Sequence, residues 1–125
     1  MSKIDRLVAE RVMGWRTHAR NTAWWVDADV ETGLVPSGGV RGMTSGMDRW
    51  SPSTSIKTAW EVVKASNDAG LSFGIHSHLG SEWECSFMEG HEFWEGKHTG
   101  ECVAICLAAL KAFGVSESEI QEAMR

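Results

Sequence analysis

His76, Ser77 and His78 close a stretch, 71–78, in which apolar and polar residues alternate. On an extended strand side chains two apart share a face, so the two imidazoles project together. Glu82 and Glu84 follow a turn at 79–81 and can lie across a hairpin from them. Two imidazoles and a carboxylate suit zinc or another divalent cation, with His91 or His98 as a further donor. His76, His78 and Glu84 are thus the candidate ligands of a metal-dependent hydrolase. The competing reading is a plain polar strand face opposite buried Leu71, Phe73 and Ile75.

Two other stretches suit a ligand better than a metal. Between Gly90 and Gly100 the sequence reads as a polar and aromatic loop. Phe93 and Trp94 offer aromatic faces there, Lys97 a cation and His98 an imidazole, a mixture that fits a base or ribose plus a phosphate. Glu92 and Glu95 oppose a phosphate. The second stretch is the glycine-rich 37–43 within a long loop, 32–51, that leads into a Ser/Thr run at 51–55. Glycine N–H groups and a helix start hold anions, and Arg41 adds a bidentate partner, with Ser53 and Thr54 at the helix start. No Gly-x-x-x-x-Gly-Lys-Ser/Thr pattern is present, so this is not a P-loop. The chain has seven Trp, four Phe and no Tyr, and tryptophan is used heavily at interfaces and stacking sites. From that surplus Trp25 and Trp50 join Arg41, Ser53, Thr54, Phe93, Trp94, Lys97 and His98 as the candidate ligand-binding set.

Nucleophilic catalysis has less to work with. Cys85 faces the core if the strand alternation holds, Cys102 and Cys106 fall in an apolar helix, and no Gly-x-Ser-x-Gly elbow occurs. No catalytic residue and no cofactor are expected. Three cysteines make a poor disulfide framework. Together with a charged N-terminus that lacks an apolar leader segment, this gives the expectation of a soluble protein in the cytoplasm. No apolar run approaches the roughly 18–20 residues that span a bilayer, so no membrane partner is expected. A net charge of −5 disfavours general nucleic-acid binding. The charge is uneven, with a basic stretch over 1–20 and an acidic one over 71–100 that can meet between protomers or solvate opposite faces.

The elements that must position these residues follow from periodicity. Ser2 and Asp5 are spaced as a capping box, and Ile4, Leu7, Val8, Val12 and Trp15 continue at helical spacing, predicting a helix over 2–15 and as far as Arg20 at the limit. A short strand is predicted at 22–27 and an irregular strand or hairpin arm within 34–43. The Ser/Thr run caps a helix reaching Asn67, with a stripe of Ile56, Ala59, Trp60 and Val63. A hairpin over 71–87 follows, then a buried helix over 101–113 stopped by Gly114. Ser116 and Glu119 form the capping box of a last short helix. The 125 residues suit one domain, 1–125.

Three runs, LVAERVMGW at 7–15, SPSTSIKTAWEVV at 51–63 and AICLAALKA at 104–112, resemble in order and spacing the phage ABA-sandwich family. The hairpin around Trp83 and Phe87 fits the same pattern. The resemblance implies an α+β fold, a three-layer α/β/α sandwich with a central antiparallel sheet and helices on both faces. It implies a phage or prophage origin and carries over no catalytic residue. Small phage proteins of this size include sponges that sequester the nucleotide messengers of bacterial antiviral signalling. The expectation is accordingly a non-enzymatic binder of a nucleotide-type small molecule, of the cyclic-nucleotide or ADP-ribose kind, working as a homo-oligomer, dimer or larger. The alternatives are a protein–protein module that inhibits a host protein and the His-ligated hydrolase.

Overall fold

The computed structural model describes residues 2–18, 21–26, 40–41, 51–78 and 81–125, with the main chain alone for 16–41 and 78. Helix α1 is Lys3–Arg11. Ser2 caps it as its spacing predicts, accepting from Asp5 N at 3.2 Å. The helix ends earlier than its apolar period suggests. Val12 and Trp15 are buried in the core after the helical turns have stopped, and the chain turns at Gly14 into strand β1, Arg16–His18. The limit of Arg20 is thereby corrected: apolar periodicity marks burial, and burial continued past the last helical hydrogen bond. Strands β2 (Asn21–Val26) and β3 (Val40–Arg41) complete an antiparallel sheet in the order β1-β2-β3.

Helix α2 is Ile56–Asp68. The Ser/Thr run is spent differently from the predicted cap: Ser55 is the N-cap but makes no side-chain cap bond, and residues 52–54 form a turn before it. The predicted stripe is buried at Ala59 and Val63, whereas Ile56 and Trp60 stay 42% and 48% exposed. Strands β4 (Ser72–His78), β5 (Glu82–Glu89) and β6 (Glu92–His98) form a second antiparallel sheet, with β5 in the middle. The predicted hairpin is therefore β4–β5, and its turn residues Leu79 and Gly80 lie outside the described set.

The loop read between Gly90 and Gly100 is corrected. Most of it is β6, paired with β5 from Glu89↔Glu92 to Trp83↔His98 without a break. Gly90 and His91 make a two-residue turn, and Gly90 carries a φ of +61°, the left-handed conformation such hairpins demand at their first turn position. The pattern hid the strand because Phe93 and Trp94 are adjacent aromatics on opposite faces. Trp94 packs on the core, while Phe93 is 61% exposed.

Helix α3, Glu101–Ala112, lies on β5 and β6 and is the most buried helix, as its all-round apolar sequence predicts. Gly96 permits this. A Cβ there would stand 2.5 Å from Ala104 O and 2.6 Å from Ala108 N, so the helix backbone rests directly on the strand. Helices α1 and α2 pack on α3, and α4 (Glu117–Ala123), capped by Ser116 as predicted, closes against α1 and α3. Phe87, Ile105, Leu110 and Val62 fill the space between sheet and helices. The fold is α+β, with helices packed against an antiparallel sheet.

One buried polar joint ties the helix starts together. Asp5, 2% exposed, accepts from Ser53 N at 2.8 Å and Ser53 Oγ at 3.0 Å, and from Ser2 Oγ at 2.7 Å. A buried carboxylate is tolerable only when so many donors meet it.

Candidate functional site

Register and alternation sort the side chains of the β4–β6 sheet. On the face under α3 stand the rows Phe73–Phe87–Trp94, Ile75–Cys85–Gly96 and Ser77–Trp83–His98. The other face carries the rows Ser72–Met88–Phe93, Gly74–Ser86–Glu95 and His76–Glu84–Lys97, with His78 opposite Glu82. The expected proximity of His76 to Glu84 is real, with Nε2 to Oε2 at 3.0 Å. Among the described residues, however, no group of three His, Cys, Asp or Glu is arranged to hold a metal ion. The side chain of His78 lies outside the described set.

The cysteines are all free and buried. Burial, with Glu101 adding to it, pushes the Cys85 thiol up to about 12. Burial and then Glu101 raise Cys102, and burial with Asp5 behind it holds Cys106 well above the ordinary thiol range. A thiol that keeps its proton is a poor nucleophile. Two results are expected. The folded protein will react with an aromatic disulfide reagent at pH 8 far more slowly than protein unfolded in urea. Because the folded pKa values are raised, the unfolded chain binds fewer protons once pH exceeds the ordinary value of 9.0; stability is then fully present below that value and falls as pH rises towards 12. Urea midpoints measured from pH 8 to 10 would show the decline, and a flat or rising profile would contradict it.

Among the described residues β6 is an outer strand, and its outer edge borders a cleft of about 380 Å³, lined by Glu95, Lys97 and His98 from β6, Leu107 and Lys111 from α3, and Glu117, Ile120, Gln121 and Met124 from α4 and its end. This volume lies at the small end of the range for small-molecule sites, about 300–1,000 Å³. Leu107 and Met124 supply apolar surface, with buried Ile120 behind them. The ammonium of Lys111 donates to the carbonyl oxygen of Glu95 at 3.0 Å, and among the described residues this neutral group is its only hydrogen-bond partner. Lys97 sits 3.8 Å from the Glu95 carboxylate. Gln121 donates to Glu117 at 3.1 Å. The His98 ring is oriented by its own neighbour: Gly100 N–H donates to Nδ1 at 2.9 Å, so the ring hydrogen sits on Nε2, which is left as a donor.

The structure thus brings Lys97 and His98 together and adds three polar residues, Lys111, Glu117 and Gln121, that the sequence reading did not place in a site. Lys111 left a signal, as the one basic residue of an otherwise apolar helix. The remaining members of the predicted set stand elsewhere. Trp25 and Arg41 face one another as register partners of β2 and β3. Ser53 has its N–H and hydroxyl engaged by Asp5, and Thr54 Oγ1 donates to Ser51 Oγ at 2.8 Å. Phe93 is exposed beside Met88, and Trp94 packs against the core. Trp50 lies outside the described residues.

A second, more open groove of about 400 Å³ runs between α1 and α4. There the basic N-terminal stretch meets α4, with Arg11 3.2 Å from Glu119 and Lys3 3.9 Å from Glu122. Both pairs are about half exposed or more, so each contributes at most about 1 kcal/mol.

Fold and cleft together define an α+β sandwich with a ligand-sized recess at one sheet edge. The family model for the phage ABA sandwich domain matches residues 6–110, and the chain belongs to that family. No curated protein and no solved structure matches it. Among the described residues no helix is long and apolar enough to cross a membrane.

Proposed function

We propose that this phage-family protein is a non-enzymatic binder that holds a nucleotide-type signal, of the cyclic-nucleotide or ADP-ribose kind, and so withdraws it from host antiviral signalling. The observation that carries the reading is Lys111. A half-buried ammonium whose one described partner is a carbonyl remains available to an anion, and a charge-assisted bond is about twice as strong as a neutral one. Lys97 and the Nε2–H of His98 line the same cleft, while Leu107 and Met124 offer a surface for a base or ribose. The protonated, buried thiols provide no nucleophile to turn such a ligand over.

Calorimetry against a panel of cyclic di- and trinucleotides and ADP-ribose derivatives tests this. At least one member is expected to bind, to be recovered unaltered, and to bind at least about tenfold more weakly to Lys111→Ala, in keeping with the roughly 1.5–3 kcal/mol of a hydrogen bond to a charged group. Failure of every member to bind would sink the proposal. Gln121→Ala, on a solvent-facing position of α4, is expected to weaken binding less, since Gln121 brings no charge.

A further inference from the structure

The two-residue turn at Gly90 and His91 fixes which backbone groups face outwards on both edges of the β4–β6 sheet. In such a hairpin the residues flanking the turn exchange hydrogen bonds, so Glu89 and Glu92 form a bonded pair. Alternation then makes Phe87↔Trp94 a bonded pair and turns the main-chain groups of Glu95 away from β5. The contact of Lys111 with the Glu95 carbonyl agrees with this. Continuing across β5, Ser86 bonds Gly74, and the N–H and C=O groups of Phe73, Ile75 and Ser77 point out of the sheet along β4. Among the described residues β4 is an outer strand of its sheet.

The two edges are treated differently. Along β6 an amine sits on an outward carbonyl. β4 has neither Pro nor Lys, its register with β5 has no bulge, and among the described residues no strand pairs with its outer side, so within those residues it lacks these devices for blunting an edge. Beside it the apolar side chains are open: Trp60 is 48% exposed and meets Phe73 edge-to-face at 5.7 Å, Ile56 lies one turn before Trp60, and Ile75 is 36% exposed. The sequence expectation that Ile75 is buried with Leu71 and Phe73 is corrected by that exposure.

We propose that a second copy of this chain docks here, β4 against β4, across a two-fold axis normal to the sheet. The register is dictated by which groups face outwards. Residues with outward main-chain groups must face one another, and of the registers this allows the one that pairs all three sets Ile75 opposite the partner's Ile75 and Phe73 opposite the partner's Ser77. The axis keeps like faces together, so Ile56, Trp60 and Ile75 of both copies meet on the helix-bearing face. The area is sufficient. The open parts of those three side chains amount to roughly 250–300 Å² per copy, taking about 150–250 Å² for a large side chain. Two such patches plus two seven-residue strand edges reach the order of 1,000 Å² that a specific interface needs. A self-matching strand with its apolar neighbours on one side of the axis fits a second copy better than an unrelated strand. This surface is independent of the β6 cleft, and neither proposal requires the other.

Sedimentation equilibrium on the full chain tests it. Twice the chain mass of 13.8 kDa is expected at micromolar concentration, reverting to the single mass in Ile75→Lys and in Trp60→Lys. Circular dichroism confirms that each variant is folded, and Phe93→Lys on the other edge keeps the double mass. Ile75→Cys is expected to form a symmetric disulfide on mild oxidation, because bonded partners across antiparallel strands lie about 5.5 Å apart at Cα, within disulfide reach. Phe93→Cys is expected to form none. A single mass at every concentration overturns the proposal and leaves the edge to a foreign strand. So does a double mass that survives both lysine substitutions, or cross-linking at Phe93→Cys in place of Ile75→Cys.

Discussion

Gly96→Val is expected to abolish stable folding, and Gly96→Ala to cost about 2–3 kcal/mol, the upper part of the range for overpacking a closed core. A Cβ at this position meets main-chain atoms of α3, Ala104 O at 2.5 Å and Ala108 N at 2.6 Å, as well as Leu107 Cβ at 2.7 Å. Backbone cannot swing aside as a flexible side chain can, so the whole helix must lift off β5 and β6. Ile105, Cys106 and Leu110, all fully buried, are carried with it. Each large apolar side chain partly returned to water loses a share of the roughly 1.5–3 kcal/mol that its burial contributes. Urea unfolding of the alanine variant gives the figure directly. A midpoint equal to that of the parent would mean that α3 does not rest on β6 at this distance.

The second large effect is expected at Asp5. Asp5→Ala removes the acceptor for Ser53 N, Ser53 Oγ and Ser2 Oγ together. Ser53 is 9% exposed, so its amide has little access to replacement water, and an unsatisfied buried donor costs about 1–3 kcal/mol. Loss of the Ser2 Oγ bond to the carboxylate adds about 1 kcal/mol, while the cap itself, made by the main-chain N–H of residue 5, is kept. Thermal melting is expected to drop by on the order of 10 °C, using the few degrees per kcal/mol typical of a domain this size. Asp5→Asn keeps one acceptor oxygen and is expected to fall between. Ser53→Ala loses the hydroxyl bond but keeps the N–H bond to Asp5 and is expected to cost less; damage equal to that of Asp5→Ala would mean that the N–H and Ser2 bonds carry no energy.

The parts of this fold that the sequence made legible are those whose signals are local. Ser2 with Asp5, and Ser116 with Glu119, are capping pairs three residues apart, and each caps the helix it predicts. The run Leu71–Phe73–Ile75 betrayed β4 through simple alternation. The failures arose where one residue type answers to a distant partner. Ser53 looks like a helix cap in any local window, yet it is held by a carboxylate 48 residues away. Gly96 reads as a loop residue, because nothing nearby in sequence announces that a helix will lie across it. Phe93 disrupted the alternation of β6 by being apolar and exposed. The cleft was legible in part. Lys97 and His98 drew notice for their chemistry, whereas Lys111 and Gln121 reach the same recess only because α3 and α4 return to the edge of β6. No periodicity in one segment encodes that return.

The bond between Asp5 and Ser53 also bears on how such a chain can diversify. It clasps the chain on either side of residues 6–52, so the starts of α1 and α2 are held to one another whatever length lies between. The entropy of closing a segment grows only with the logarithm of its length, and doubling it costs about 0.6 kcal/mol. Insertions and deletions between the two anchor points therefore tax the clasp very little, while a single substitution at the clasp is felt throughout the helical layer. A lineage can therefore change the length of the chain between Trp15 and Pro52 at little cost to this joint, provided that the carboxylate, the serine and the buried Val8, Ala9, Val12 and Trp15 remain.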